Sequence, residues 1–239
     1  MNRRIRVTVA AAFLVLMQAS GCFVLAQDAA QTYPAMAPID KYLMADRDAE
    51  IALARSAAPA EISRDSEVLV LERDGYRSAS AGKNGFTCLV ERSWMSPIDS
   101  QEFWNPKMRG PVCYNPQASR SILPYTILRT KLALKGMAKA QIGESMKASL
   151  DSNQIPLPEP GAMSYMLSKD GYLGDTVGHW HPHLMFHIPN ASAASWGANL
   201  PGSPVLLIPP GPEPESIFLV PVGHWSDGTA VEASETHQH

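Results

Sequence analysis

Residues 178–189 read Gly-His-Trp-His-Pro-His-Leu-Met-Phe-His-Ile-Pro and hold four of the chain's seven histidines. Imidazole is the commonest metal ligand among side chains and the only one that titrates near neutrality unperturbed. His179, His181 and His183 alternate, so in an extended segment their side chains share one face. Neighbours on that face lie about 6.6 Å apart at Cα, close enough for two imidazoles to chelate one ion. The outer pair would be about 13 Å apart on a straight strand, a span that a bend at Pro182 would shorten. His187 keeps the alternation but lies too far along to join them. Gly223-His224-Trp225 repeats Gly178-His179-Trp180, and His224 is the natural third ligand from a separate strand. Three histidines with an open position make a catalytic zinc arrangement, and similar nitrogen sets hold copper or iron. The expected ligands are therefore His179, His181, His183 and His224, and the expected ion is copper or zinc.

Other residues nearby can contribute. Asp175 and Glu215 are candidate outer partners or bases, although no spacing selects them. Met163, Met166 and Met185 lie in the same half of the chain, and a thioether favours cuprous copper; filling a core is the plainer role for each. Without a metal, the histidines would bond to backbone groups and stack on Trp180 and Trp225. That is a demanding arrangement, since each buried imidazole needs its own partners. No His-Glu-x-x-His helix and no Gly-x-Ser-x-Gly elbow is present. Pro182-His183 stands where metallo-β-lactamase-like hydrolases need an aspartate. A cupin-like arrangement lacks its glutamate and has too few strands after Ile155. The reading is an exported protein that binds copper or zinc. The alternatives are a metal-dependent enzyme, either a hydrolase or an oxygen-using catalyst, and a non-metal envelope protein making contacts through Trp180, Trp196 and Trp225. Binding is preferred to catalysis because no general base is identifiable.

Export is read from the N-terminus. Arg3, Arg4 and Arg6 precede an apolar run from residue 7 to 17, too short for a stable span. Residues 1–26 are expected to be a signal peptide cut before Gln27. The competing site is Ala19-Ser20-Gly21-Cys22, where Cys22 would carry a lipid and provide the chain's only membrane attachment. Cys88 and Cys113 then remain as the cysteines of the mature chain, and an oxidising compartment makes them a disulfide. Losing the three arginines takes the formal charge from −3 to −6. There is no basic patch, which argues against nucleic acid as a partner. At 45% apolar content the chain can bury an ordinary core, as one domain or two closely packed halves.

The elements that must position the histidines are mixed, giving an α+β class. Residues 40–57 are rich in helix formers and stop before Pro59. An antiparallel meander follows, with strands at 67–71, 76–80 and 86–91. Asp74-Gly75 and Asn84-Gly85 supply its turns, and Cys88 lies on its third strand. Residues 94–116 read as an irregular loop that Cys113 ties back to the sheet. Two amphipathic helices come next, one from Pro124 to Gly136 and one through Ile142, Met146 and Leu150 to a stop at 151–153. Residues 27–154 thus form an α+β part and 155–226 a β-rich part. The latter has short strands at 162–167, 181–188, 205–208 and 217–220, separated by Pro-rich loops. The polar residues 227–239 read as a disordered tail.

Overall fold

The computed structural model describes residues 33–175, 177–208 and 215–232. The expected leader with both cleavage sites, the Pro209–Pro212 run, and His237 and His239 all lie outside them. Among the described residues five helices stand on one eight-stranded mixed sheet, an α+β fold. The strands are β1 (Glu67–Glu72), β2 (Gly75–Ser80), β3 (Thr87–Glu91), β4 (Gly110–Tyr114), β5 (Met163–Met166), β6 (His183–Pro189), β7 (Leu206–Leu207) and β8 (Glu215–Pro221). They lie in the order β2-β1-β3-β4-β5-β6-β8-β7. Pairing of β4 with β5 makes the sheet continuous across both expected parts of the chain.

The N-terminal helix is shorter than its composition suggests. Asp46 caps α1 (Arg47–Arg55) by accepting from the amides of Asp48 and Ala49, and among the described residues only a 3₁₀ turn at Ile39–Lys41 precedes it. An aspartate that satisfies two orphan amides defines the start better than helix propensity does. A second short helix, α2 (Ala60–Ser63), begins directly after Pro59.

Strands β1 and β2 form the expected hairpin, but the third strand does not continue a meander. β3 pairs with β1 in parallel, through Glu67–Thr87 and Val68–Cys88. The connector is drawn across the end of β1 instead of turning tightly. The Asn84 amide donates to Ile62 O, Lys83 N to Asp65 O, and Glu67 N to Phe86 O. Gly82 passes so close to β1 that a Cβ there would sit 2.2 Å from Glu67 N, a position only glycine tolerates. β1 is buried from Val68 through Leu71, whereas β2 is only partly covered, with Arg77 and Ser78 exposed. The more apolar strand therefore takes the interior place.

The segment expected as an irregular loop contains β4, buried at every residue. Gly110 and Pro111 masked a strand whose Val112, Cys113 and Tyr114 are core residues. Cys113 is thus on a strand and not on a loop, directly opposite Cys88, and the two form a disulfide.

Helix α3 (Pro116–Ser121) starts with the Asn115 side chain capping Ala118 N. Helix α4 (Leu123–Leu134) ends before Gly136, whose φ is +74°, and α5 (Lys139–Asp151) ends before Asn153 at φ +55°. Both ends use a left-handed residue after the last turn.

One face of the sheet presents Val68, Cys88, Val90 and Cys113 to Ala54, Ala57 and Ala58 at the end of α1. The other presents Leu69, Leu89, Val112, Tyr114, Met166 and Met185 to Ala118, Ile122, Trp180 and Trp225. A third cluster joins α4 and α5 to Tyr42, Trp94, Phe103 and Trp104. Glu50 on α1 and Arg92 after β3 are buried together at 2.8 Å, and Arg92 also donates to the carbonyls of Tyr42 and Val90.

Candidate functional site

The histidine segment crosses from a loop into β6. Gly174 and Gly178 close a turn, with Gly178 at φ +67°. His179 and His181 precede the strand, which begins only at His183. Pro182 is the physical reason, because it has no amide to add to a ladder. Its carbonyl accepts from Val222 N at 2.8 Å, which holds residues 222–224 beside 180–182.

The doubled Gly-His-Trp has a packing explanation. Trp180 and Trp225 are 4% and 9% exposed and belong to the same core cluster, while His179 and His224 face solvent. The Trp180 ring lies so near Gly171 that a Cβ there would be 2.6 Å from it, and its Nε1–H donates to Ser168 O. After Trp225 the chain returns on itself. Trp225 N donates to Thr229 O and Val231 N to Gly223 O, and Val231 packs on the core. The two buried tryptophans cannot serve as contact residues for a partner. Trp196 is half-buried and stacks on Phe218 at 4.5 Å.

His183 is the most constrained imidazole of the expected set. Its ring meets Trp180 edge to face at 5.6 Å, and its Nδ1–H donates to His181 O at 2.7 Å. A carbonyl can only accept, so the Nδ1 proton is fixed and Nε2 keeps its lone pair. Burial holds the ring below the ordinary imidazole range, the bond to His181 O works the other way, and the nearby His181 side chain adds to the lowering. His183 is thus neutral at pH 7, with one nitrogen presented as a base.

His187 lies on the same face of β6 but in a different environment. It is 2% exposed. Its Nδ1–H donates to Glu215 Oε1 at 2.5 Å, and its Nε2 lies 3.1 Å from Ser164 Oγ. The three residues come from β5, β6 and β8, each reaching diagonally to the next strand. Next to them Tyr114 donates to Glu91 and meets Thr126 Oγ1 at 3.0 Å. Burial pushes the Glu91 carboxyl above its usual range and the Tyr114 phenol well above its own. Ser164, His187 and Glu215 stand in the order of a nucleophile, a base and its orienting acid. Ser164, however, is wholly buried, so no substrate reaches its oxygen. Beside Glu215 is a cavity of only about 10 Å³, lined also by Ile122, Tyr125 and Leu157. That is roughly the space of one water.

Sequence reasoning named His187 and Glu215 but did not join them, and Ser164 had no signal. A serine alternating with methionines on a strand marks nothing until the register places it opposite Met185. Asp175 is occupied elsewhere. It accepts from Tyr172, Tyr33 and Lys107, which together draw its carboxyl down to about 2.

Among the described residues, no group of three or more His, Cys, Asp or Glu is arranged to hold a metal ion. No helix among them is long and apolar enough to cross a membrane. No protein-family model, curated protein or solved structure matches the chain.

Proposed function

We propose that this is an exported protein that binds a transition-metal ion, copper or zinc, at the histidine-rich turn leading into β6. His183 is the central ligand, with His181 beside it and His179 and His224 at the rim. The observation that carries this reading is the bond from His183 Nδ1–H to His181 O. Ligating histidines commonly donate their second ring nitrogen to a carbonyl or carboxylate, which fixes the tautomer and aims the other nitrogen at the ion. His183 meets that description and is neutral at pH 7, as a ligand must be. The bond between Val222 and Pro182 supports the inclusion of His224, because it holds the loop carrying it beside His181.

Export is proposed from Arg3, Arg4, Arg6 and the apolar run that follows, and the Cys88–Cys113 disulfide fits an oxidising compartment. Mass spectrometry of the mature N-terminus distinguishes a start at Gln27 from a lipidated Cys22.

Equilibrium dialysis of the untagged chain against Zn(II), Cu(II) and, anaerobically, Cu(I) tests the binding. The wild type binds one ion per chain, His183→Ala loses most of the affinity, His181→Ala loses less, and His187→Gln keeps it. A wild type that retains neither metal overturns the reading.

A further inference from the structure

The strand register defines surroundings for His183 that the histidine spacing does not reveal. Met166 on β5 is its direct cross-strand partner, and Met185 is the next residue on the same face of β6. Directly paired antiparallel residues have Cβ atoms about 5 Å apart, and i, i+2 neighbours on a strand are about 6.6 Å apart at Cα. Both spans are within the reach of an unbranched thioether side chain. Met163, by contrast, pairs with Phe186 and points to the opposite face. Alternation therefore selects two of the three methionines in this half of the chain.

The two selected methionines are 5% and 9% exposed and pack in one cluster with Trp180 and Trp225. His183 meets the Trp180 ring. An imidazole, two thioethers and an indole ring thus neighbour one another at an apolar cluster. Among the described residues no hydrogen bond engages His183 Nε2, and the residue is half-buried. His183 is thus the more accessible member of the group, and the two methionines are its dry side.

We propose that His183, Met166 and Met185 form a binding site for a cuprous ion, with Trp180 packed against it. This rests on the reading of the histidine-rich turn as a metal-binding segment and names its ion and ligands. Soft thioether ligands select Cu(I) over Zn(II), and an uncharged, largely buried donor set suits a monovalent ion better than a divalent one. The set contains a single residue of the His, Cys, Asp or Glu type, so it agrees with the finding that no three of those converge. His179 and His224 are then rim residues that guide or exchange the ion and do not hold it.

The test is anaerobic titration of the full untagged chain with Cu(I) against a chromophoric Cu(I) chelator, with Zn(II) dialysis in parallel. The variants are Met166→Leu, Met185→Leu and His183→Ala. Leucine conserves volume in a core, and urea midpoints check that each variant folds. The wild type is expected to bind one Cu(I) per chain, and each methionine variant to lose at least about tenfold in Cu(I) affinity, at the lower end of what disturbing a metal site costs. Met163→Leu is expected to bind as the wild type does. X-ray absorption at the copper edge should show sulfur neighbours that vanish in the Met166→Leu, Met185→Leu double variant. Cu(I) binding that is unchanged in that folded double variant overturns the thioether site while leaving a histidine site standing. Zn(II) binding without Cu(I) binding overturns it in the same way. If the wild type binds neither ion, the histidine reading and this site fall together.

Discussion

Replacing His187 with alanine should destabilise the protein strongly without abolishing any chemistry, because the Ser164–His187–Glu215 chain holds strands and is not a nucleophile. Two losses add. The Nδ1–H bond to the Glu215 carboxylate is charge-assisted, and such bonds contribute about 1.5–3 kcal/mol. Ser164 is wholly buried, and a buried hydroxyl left without its partner costs about 1–3 kcal/mol. The sum, about 2.5–6 kcal/mol, is a large part of the stability of an ordinary domain. Ser164→Ala leaves only Nε2 unpaired and should cost about 1–2 kcal/mol. Glu215→Gln keeps an acceptor for Nδ1–H and should cost less than His187→Ala. Urea denaturation with an unchanged m-value reads all three as shifts of the midpoint. In a double-mutant cycle, Ser164→Ala and His187→Ala should show a coupling of about 1 kcal/mol or more, as groups in one network do. A fluorophosphonate probe should not label Ser164 in the native protein. Labelling there, or a His187→Ala protein within about 1 kcal/mol of the wild type, would refute a structural role for the chain.

The remaining predictions follow from other buried groups. Burial raises the Glu91 carboxyl, opposed mainly by the bond from Tyr114 and by nearby His187 and Arg129, so the folded state holds the proton more tightly than the unfolded chain. Its contribution to stability is then largest below the ordinary carboxyl range, about 4.3, and is lost as pH rises through the raised folded value. Glu91→Gln should therefore gain on the wild type in urea midpoints as pH rises above about 4.3, and a parallel pH profile for the two proteins contradicts this. Glu50 and Arg92 are 2% and 0% exposed at the side chain. Glu50→Ala should cost about 3–5 kcal/mol, and replacing both partners with apolar residues of similar volume should cost much less. Reducing Cys88–Cys113, which closes 25 residues of sequence, should lower stability by about 3 kcal/mol in the chain-entropy model. Two free thiols in denatured, unreduced protein would contradict the bond itself.

What could be read from the sequence, and what could not, divides by whether the cause is local. Helices α4 and α5 were legible because Pro124, Gly136, Ile142 and Met146 state their own positions within a few residues. The disulfide pairing was legible because only two cysteines remained after the leader. β4 was hidden, since its Gly110-Pro111 start looks like a loop and its strand character comes from burial between β3 and β5. The parallel pairing of β3 with β1 was hidden for a related reason. Asn84-Gly85 is a hairpin signal, but the Asn84 side chain is captured by Ile62 O, a contact distant in sequence. At the site, alternation correctly put His183 and His187 on one face. It wrongly extended the strand back through His181, where Pro182 interrupts the ladder. The neighbours of that face, Met166 beside His183 and Ser164 beside His187, depend on register, which no local pattern specifies.

The central claim is that a metal ion binds at the turn into β6. It is tested most directly by native mass spectrometry of untagged protein, loaded anaerobically with copper and separately with zinc, alongside His183→Ala. The account predicts a single bound copper in the wild type that is absent from the folded variant. Wild-type protein that stays metal-free under both conditions, or a variant that carries copper as the wild type does, contradicts it.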